Sequence, residues 1–150
     1  MSKDIIVGLD AGTSLIKFVA FDLDGKVIDS ASVRNKVYYR SGSKAEQSLN
    51  ETWDKVIDSF NQLQEKIDNL KDRILGISIT GQGDGSWPID KNANPVGDAA
   101  LWLDGRSGDI IDDWRNSSIG PSISKITHTG LNASMQSGQM FHIFHNEKDR

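Results

Sequence analysis

The chain has 150 residues, a net charge of −4 and no cysteine. Its length favours one domain able to bury a core, and its negative charge argues against nucleic acid or an anionic membrane as a partner. The lack of cysteine excludes disulfides, zinc thiolates and cysteine nucleophiles. The N-terminal apolar run is too short for a signal peptide and no stretch is long enough to span a membrane, so the sequence predicts a cytoplasmic protein.

The first two apolar runs, residues 5–9 and 15–21, are short and rich in Ile, Val and Phe, which predicts two strands. Between them lies the polar turn Asp10-Ala11-Gly12-Thr13-Ser14. A third strand is predicted over residues 26–37, after an Asp24-Gly25 turn. The plain alternative for the first pair is a β-hairpin with a polar tip.

This first turn has the composition of a phosphate-binding loop. Gly12 allows a tight turn whose N–H groups can face an anion, and Thr13 and Ser14 add hydroxyl donors. Lys17 is placed to bring a positive charge to the same site. Asp10 would repel a bare phosphate, so its presence indicates a divalent cation that stands, usually through water, between carboxylate and phosphate.

The polar residues 38–47 predict a surface loop, and a long amphipathic helix follows it. Ser48 and Glu51 have the spacing of a capping box. Apolar side chains then recur every three or four positions and predict one helix face packed on a sheet: Trp53, Val56, Ile57, Phe60, Leu63, Ile67 and Leu70. Residues 74–80 predict a short buried strand, and a helix between strands indicates a parallel crossover, so the sheet should be mixed.

Residues 81–106 predict a β-excursion whose two ends return close to one another. It comprises a glycine-rich start (Gly81-Gln82-Gly83-Asp84-Gly85), a strand at 87–89, a turn at 90–95 and a return strand at 96–103. Gln82 and Asp84 lie at one end, Asp104 and Arg106 at the other, and Asp with Arg binds hydroxyl groups well. The alternatives are a glycine hairpin turn and an Asp104–Arg106 surface ion pair of little energetic weight.

The last third of the chain predicts a short helix over 107–115, a loop over 116–124 and a helix over 135–147. His142 and His145 could share a face of that last helix. No carboxylate pattern accompanies them, so they do not indicate a metal site.

Taken in order and spacing, these segments resemble the N-terminal part of the FGGY family of carbohydrate kinases. The segments that carry the resemblance are VGLDAGTSLIKFVAFDLDGKVI, ILGISITGQGDG and NPVGDAALWLDGR. Within the family, GQGDG followed by Trp-x-Asp-x-Arg is most similar to sugar-alcohol and pentulose kinases, such as erythritol, xylulose and L-xylulose kinases. Glycerol kinases usually carry Arg-Glu in place of Gly83-Asp84, which makes glycerol a less favoured substrate.

The resemblance implies an α/β, ribonuclease H-like (actin-like ATPase) fold, whose mixed sheet has an antiparallel meander of three strands and crossover helices. It implies ATP and Mg²⁺ as cofactors and transfer of the γ-phosphate of ATP to a hydroxyl of a ketose or sugar alcohol. The implied roles are metal binding for Asp10, phosphate binding for Gly12, Thr13, Ser14 and Lys17, and substrate binding for Gln82, Asp84, Trp102, Asp104 and Arg106.

The resemblance also implies that residues 1–150 form an N-terminal FGGY-type domain that is incomplete. The nucleotide-binding domain and the general-base aspartate are expected beyond residue 150, so no catalytic residue is assigned and the fragment alone is expected to be inactive. The expected partner is a small-molecule sugar or polyol, without nucleic acid or membrane, and a homodimer is a candidate assembly. An actin-like ATPase or chaperone-type module and a non-catalytic sugar-binding domain are the alternatives.

Overall fold

The computed structural model describes residues 3–148 and divides the chain into two compact units. The first contains the residues up to Val37 together with Asn50–Gln82, and the second contains Tyr38–Leu49 and the residues from Gly83 onward. The elements, in chain order, are β1 (Ile5–Ala11), β2 (Leu15–Phe21), β3 (Val27–Arg34), β4 (Tyr38–Arg40), β5 (Lys44–Gln47), α1 (Leu49–Lys66), α2 (Leu70–Arg73), β6 (Ile74–Gly81), β7 (Gly85–Ser86), β8 (Ala99–Leu101), α3 (Gly108–Arg115), α4 (Ile119–Thr127) and α5 (Gln136–Asn146).

The first unit is a four-stranded mixed sheet in the order β3-β2-β1-β6. The pairs β1–β2 and β2–β3 are antiparallel, and β6 returns parallel to β1 after the helical crossover. One face of the sheet packs against α1, because the alternating residues of the strands and the inner face of the helix are apolar. The resulting core contains Ile5, Val7, Leu9, Ile16, Phe18, Ala20, Ala31, Leu63, Ile67 and Leu70. The predicted mixed sheet and meander are therefore confirmed.

Two apolar features of the first unit are more exposed than the sequence predicts. Trp53 and Ile57 were assigned to the buried face of the helix, but they are 63% and 43% exposed. The strand β6 was expected to be buried, yet Ile77 and Ile79 are 54% and 72% exposed. Among the described residues, β6 lies at the edge of the sheet with a paired strand on one side only, so apolar composition did not imply burial.

The second unit contains a small antiparallel sheet in the order β4-β5-β8-β7 and the helices α3, α4 and α5. The predicted surface loop over 38–47 is wrong, because β4 and β5 form a hairpin there with Ala45, Glu46 and Gln47 buried. The predicted return strand over 96–103 is reduced to the three residues of β8, and the strand at 87–89 to an isolated bridge between Ile89 and Pro95.

The predicted loop over 116–124 is also wrong, because α4 occupies Ile119–Thr127. Pro121 lies in the first turn of this helix, where a missing N–H costs nothing. Gly120 is buried, and a Cβ at this position would lie 2.8 Å from the Trp114 carbonyl oxygen. Gly120 therefore allows the close contact with Trp114, and Pro121 is compatible with the start of the helix. Within residues 3–148, the helices lack the length and apolar character needed to cross a membrane.

Candidate functional site

The turn between β1 and β2 has a backbone geometry that requires glycine. The Gly12 N–H donates to the Leu15 carbonyl oxygen at 3.1 Å. A Cβ at Gly12 would lie 2.8 Å from that same oxygen, which is closer than real Cβ atoms approach. Thr13 is half-buried and Ser14 is exposed. The turn is thus a tight polar loop in which residue 12 has no room for a side chain.

Asn35, to which the sequence gave no role, holds this turn through hydrogen bonds. The Asn35 N–H donates to the Ser14 carbonyl oxygen at 3.0 Å, and its side-chain amide makes a long bond to the Gly12 carbonyl oxygen at 3.5 Å. The Thr52 hydroxyl in α1 lies 3.4 Å from the Asn35 side-chain oxygen. Asn35 therefore links the turn to the helix. Its position just after a strand gave no local signal of this role.

Asp10 and Lys17 lie side by side on the face of the sheet opposite the apolar core. They are directly paired across β1 and β2, and Thr80 of β6 pairs with Asp10 from the other side. All three side chains are exposed. They line a hollow of about 190 Å³ whose other walls are Gly8, Leu9, Val19, Phe21 and Ser78. The structure thus brings together the predicted metal-binding carboxylate and the predicted phosphate-binding ammonium group, and it adds the hydroxyl of Thr80.

The donor set around Asp10 fits a magnesium ion that keeps most of its water. Within residues 3–148 there is no group of three or more His, Cys, Asp or Glu side chains arranged to hold a metal. A cation at Asp10 would therefore meet a single carboxylate, through water, and take its ligands from water and phosphate. Mg²⁺ in phosphoryl-transfer sites commonly binds in this way.

The glycine-rich segment after β6 divides between the two units. Gln82 is the last residue of the first unit, and Asp84 belongs to the second. Gly85 pairs with Leu101 across β7 and β8. Gly85 has φ +107°, and a Cβ there would lie 2.7 Å from the Ala100 carbonyl oxygen, so this crossing also requires glycine.

The predicted approach of Gln82 and Asp84 to Asp104 and Arg106 stays a prediction. The β7–β8 pairing joins Gly85 and Ser86 to Leu101 and Ala100. It brings the Asp84 end of the segment beside Trp102, whose backbone nitrogen lies 3.3 Å from the position of a Cβ on Gly85. Trp102 is 50% exposed and Asp84 is exposed. An exposed carboxylate accepts hydrogen bonds from hydroxyl groups, and an exposed aromatic ring offers an apolar face to carbon atoms.

Asp104 and Arg106 form the expected ion pair, but it is buried, not on the surface. Both side chains are 0% exposed, with Arg106 Nε 2.8 Å from Asp104 Oδ1. The other guanidinium nitrogens donate to Asp104, Glu46 and Glu147 at 2.6–2.8 Å. Asp104 also accepts the N–H of Ala45 at 2.7 Å. The interpretation as a weak surface pair is therefore wrong, because both groups are desolvated and joined to strand β5.

This network shifts the pKa of both partners toward the charged forms. Burial alone would raise the pKa of Asp104, but the hydrogen bonds from Arg106 and Ala45 outweigh it and hold that pKa below its usual range. Burial acts in the opposite sense on Arg106, and its carboxylate partners raise its pKa despite that. Neither side chain reaches solvent in this conformation. Both contact other protein groups directly, and their contact with a substrate hydroxyl stays a prediction.

Solved structures define the class of protein to which this geometry belongs. The structure superposes with a TM-score of 0.89 on a ligand-bound xylulose kinase from Lactobacillus acidophilus. The two are 21% identical, and the match covers 99% of this chain and 29% of that chain. The shared fold is the ribonuclease H-like, actin-like ATPase fold of the FGGY sugar kinases, as predicted.

The sequence comparison then identifies the family. The model of the FGGY family of carbohydrate kinases, N-terminal domain, matches residues 5–150, and the chain belongs to this family. It is 41% identical over 140 residues to an erythritol kinase of Brucella abortus, which covers 93% of this chain and 27% of that enzyme. It is 35% identical over 107 residues to a xylulose kinase of Staphylococcus epidermidis, covering 71% and 22%. The chain thus spans about a quarter of the length of these relatives.

Proposed function

We propose that this chain supplies the polyol- and phosphate-binding part of an ATP-dependent carbohydrate kinase. The reaction would transfer the γ-phosphate of ATP to a hydroxyl of a ketose or sugar alcohol. The observation that carries the proposal is the pairing of Asp10 with Lys17 beside the glycine turn, in a member of the FGGY family. Its similarity to an erythritol kinase and a xylulose kinase favours a polyol or pentulose as substrate.

The chemistry assigned to each residue follows from charge. Phosphoryl transfer depends mainly on positioning and on neutralising the charge of the phosphate oxygens. The Lys17 ammonium and the turn at Gly12, Thr13 and Ser14 would face the transferred phosphate. The Gly12 N–H donates to the Leu15 carbonyl oxygen, so Gly12 would contribute the tight turn and the space that a side chain would fill. Asp10 would hold Mg²⁺ through water, and that ion would supply further positive charge when ATP is bound.

The substrate side of the proposal rests on exposed groups of the second unit. The Asp84 carboxylate would accept a hydrogen bond from a substrate hydroxyl, and Trp102 would contact the carbon chain. Gln82 is retained as a candidate hydroxyl ligand. Asp104 and Arg106, which bind each other, would support the end of the excursion that carries Trp102.

The wider expectations belong to the same proposal. The partner is a small-molecule sugar or polyol, and the general base is expected outside these 150 residues, which are not expected to turn over substrate by themselves. A cytoplasmic location and a homodimer stay predictions.

The test is a steady-state assay of the complete protein that carries this sequence, with ATP, Mg²⁺ and a panel of erythritol, xylulose, L-xylulose and glycerol. Formation of a phosphorylated product supports the proposal. ATP hydrolysis that no member of the panel stimulates would instead favour the actin-like ATPase alternative. Binding of a sugar without transfer would favour the non-catalytic sugar-binding alternative.

Two substitutions separate the phosphate and substrate roles. Lys17→Met should lower kcat by about 100-fold, because one donor to the transition-state phosphate is lost. The matched control is Lys26→Met, since Lys26 is an exposed lysine at the turn after β2.

Asp84→Asn should raise KM for the polyol by about tenfold or more, because a charged acceptor is replaced by a neutral one. Its control is Asp113→Asn on the exposed side of α3. Equal effects of a variant and its control would contradict the assigned role.

A further inference from the structure

A single hydrogen bond joins Asp84 to a loop fifty residues further along the chain. The Ser134 Oγ donates to Asp84 Oδ2 at 2.8 Å, and both residues lie in the second unit. Sequence analysis singled out Asp84 and gave Ser134 no role. We infer that Ser134 is a positioning residue that fixes how Asp84 presents its carboxylate to the substrate, an inference that rests on the proposed kinase function.

The hydroxyl proton of Ser134 has two nearby acceptors. Asn132 Oδ1 lies 2.5 Å from the Ser134 Oγ and also accepts the Ser134 N–H at 3.0 Å, whereas Asp84 Oδ2 lies at 2.8 Å. A serine hydroxyl has only one proton to donate, and a hydrogen bond to an ionised carboxylate is stronger than one to a neutral amide. We therefore assign the proton to Asp84 on the strength of its charge, although Asn132 Oδ1 is the nearer oxygen.

Two hydrogen bonds anchor the loop just before Ser134 to the protein. The buried Ser107 donates its hydroxyl proton to the Ala133 carbonyl oxygen at 2.8 Å. The Arg115 guanidinium donates to the carbonyl oxygen of Leu131, whose side chain is buried. These contacts fix the backbone immediately before Ser134. The fold therefore holds the Ser134 hydroxyl close to Asp84. A serine on a mobile surface loop would not be held in this way.

The two carboxylate oxygens of Asp84 therefore have different roles. Oδ2 of Asp84 is engaged by Ser134, and within residues 3–148 no hydrogen bond involves Oδ1. Oδ1 is therefore the oxygen available to a donor on a ligand, here a hydroxyl of a sugar or polyol. Fixing one oxygen removes rotational freedom from an exposed side chain, which lowers the entropic cost of binding the hydroxyl.

The test compares Ser134→Ala with Ser134→Thr in the complete protein, using ATP and the same four substrates. Because one hydrogen bond to a charged group is lost, Ser134→Ala should raise KM for the preferred substrate by about three- to tenfold. The kcat value and KM for ATP should stay within about twofold of the wild type, since neither involves Asp84. Ser134→Thr retains the hydroxyl and should recover most of the loss.

The control is Ser137→Ala, which removes an exposed serine hydroxyl in the first turn of α5, three residues away. It should leave KM for the polyol unchanged. A Ser134→Ala variant with wild-type KM, or a Ser134→Thr variant as impaired as Ser134→Ala, would overturn the inference alone. A wild-type protein that phosphorylates none of the four substrates would overturn the proposed function and this inference with it.

Discussion

Replacing Arg106 by methionine should destabilise the second unit more than any other single charge removal described above. Methionine keeps much of the side-chain volume, so the change mainly removes the guanidinium. The side chains of Asp104 and Glu46 are 0% and 7% exposed, so they cannot recover full hydration after the loss. The variant therefore leaves Asp104 without its principal cation, and it leaves Glu46 with Arg40 as its remaining partner.

Removing one partner of a buried ion pair costs about 3–5 kcal/mol, because the other charge stays desolvated. The value should lie toward the upper end here, since Arg106 donates to three different carboxylates at 2.6–2.8 Å. At about 2 kcal/mol per molar urea, the midpoint of unfolding should fall by about 2 M. The matched control is Lys125→Met, because Lys125 is an exposed cation on α4 in the same unit. Surface substitutions usually change stability by less than about 0.5 kcal/mol.

Urea titration followed by tryptophan fluorescence measures both variants. Three of the four tryptophans, Trp87, Trp102 and Trp114, lie in the second unit and report on it. A free energy loss for Arg106→Met no larger than that for Lys125→Met would refute the assignment of a stabilising buried network. Adding Asp104→Asn to Arg106→Met should recover part of the loss, because it removes the charge that has lost its principal cation.

The same network predicts how this difference depends on pH. The pKa of Asp104 is held below its usual range in the folded protein, so the ion pair contributes stability above the unfolded pKa of about 4. That contribution is lost as the pH falls through the lower folded value. In Arg106→Met the buried carboxyl can protonate instead. The stability difference between wild type and variant should therefore shrink when urea titrations are repeated from pH 7 down to pH 2–3.

The remaining predictions concern the first unit. Gly12→Ala should abolish phosphoryl transfer and lower stability by about 1–3 kcal/mol, since its Cβ would meet the Leu15 carbonyl oxygen at 2.8 Å. Gly76→Ala is the control, because a Cβ there meets nothing within 4 Å; an active Gly12→Ala enzyme would contradict the turn geometry. Leu63→Ala should cost about 2–5 kcal/mol in urea titration, because Leu63 is 0% exposed. Leu23→Ala, at a position 59% exposed, should cost less than about 0.5 kcal/mol, and similar losses for both would show that the assigned core is wrong.

Local patterns predicted the parts of the fold that local interactions determine. The strand β2 has the predicted bounds, because its alternating apolar residues and flanking turn residues leave little ambiguity. The helical crossover and the parallel return of β6 followed from element order alone. The turn at Gly12 was recognisable because tight turns demand particular residues.

Long-range contacts account for what the sequence did not reveal. Strand β5 is buried although it contains Glu46 and Gln47, because two arginines neutralise the glutamate: Arg40 in the neighbouring strand β4 and Arg106, sixty residues away. The contact with Arg106 cannot be found in any window around residue 46. The support of Asp84 by Ser134 is equally non-local, and so is the pairing of Thr80 with Asp10. The Asp104–Arg106 pair was found from its spacing, but its burial depends on strand β5.

The exposed strand β6 has a consequence for handling the chain. It offers a row of backbone N–H and C=O groups along its outer edge, flanked by exposed Ile77 and Ile79. Such an edge is a template onto which a strand of another molecule can add. A net charge of −4 gives only modest repulsion against that addition. This edge should therefore promote self-association of the 150-residue chain, and Ile79→Lys should keep the chain in solution at higher concentration.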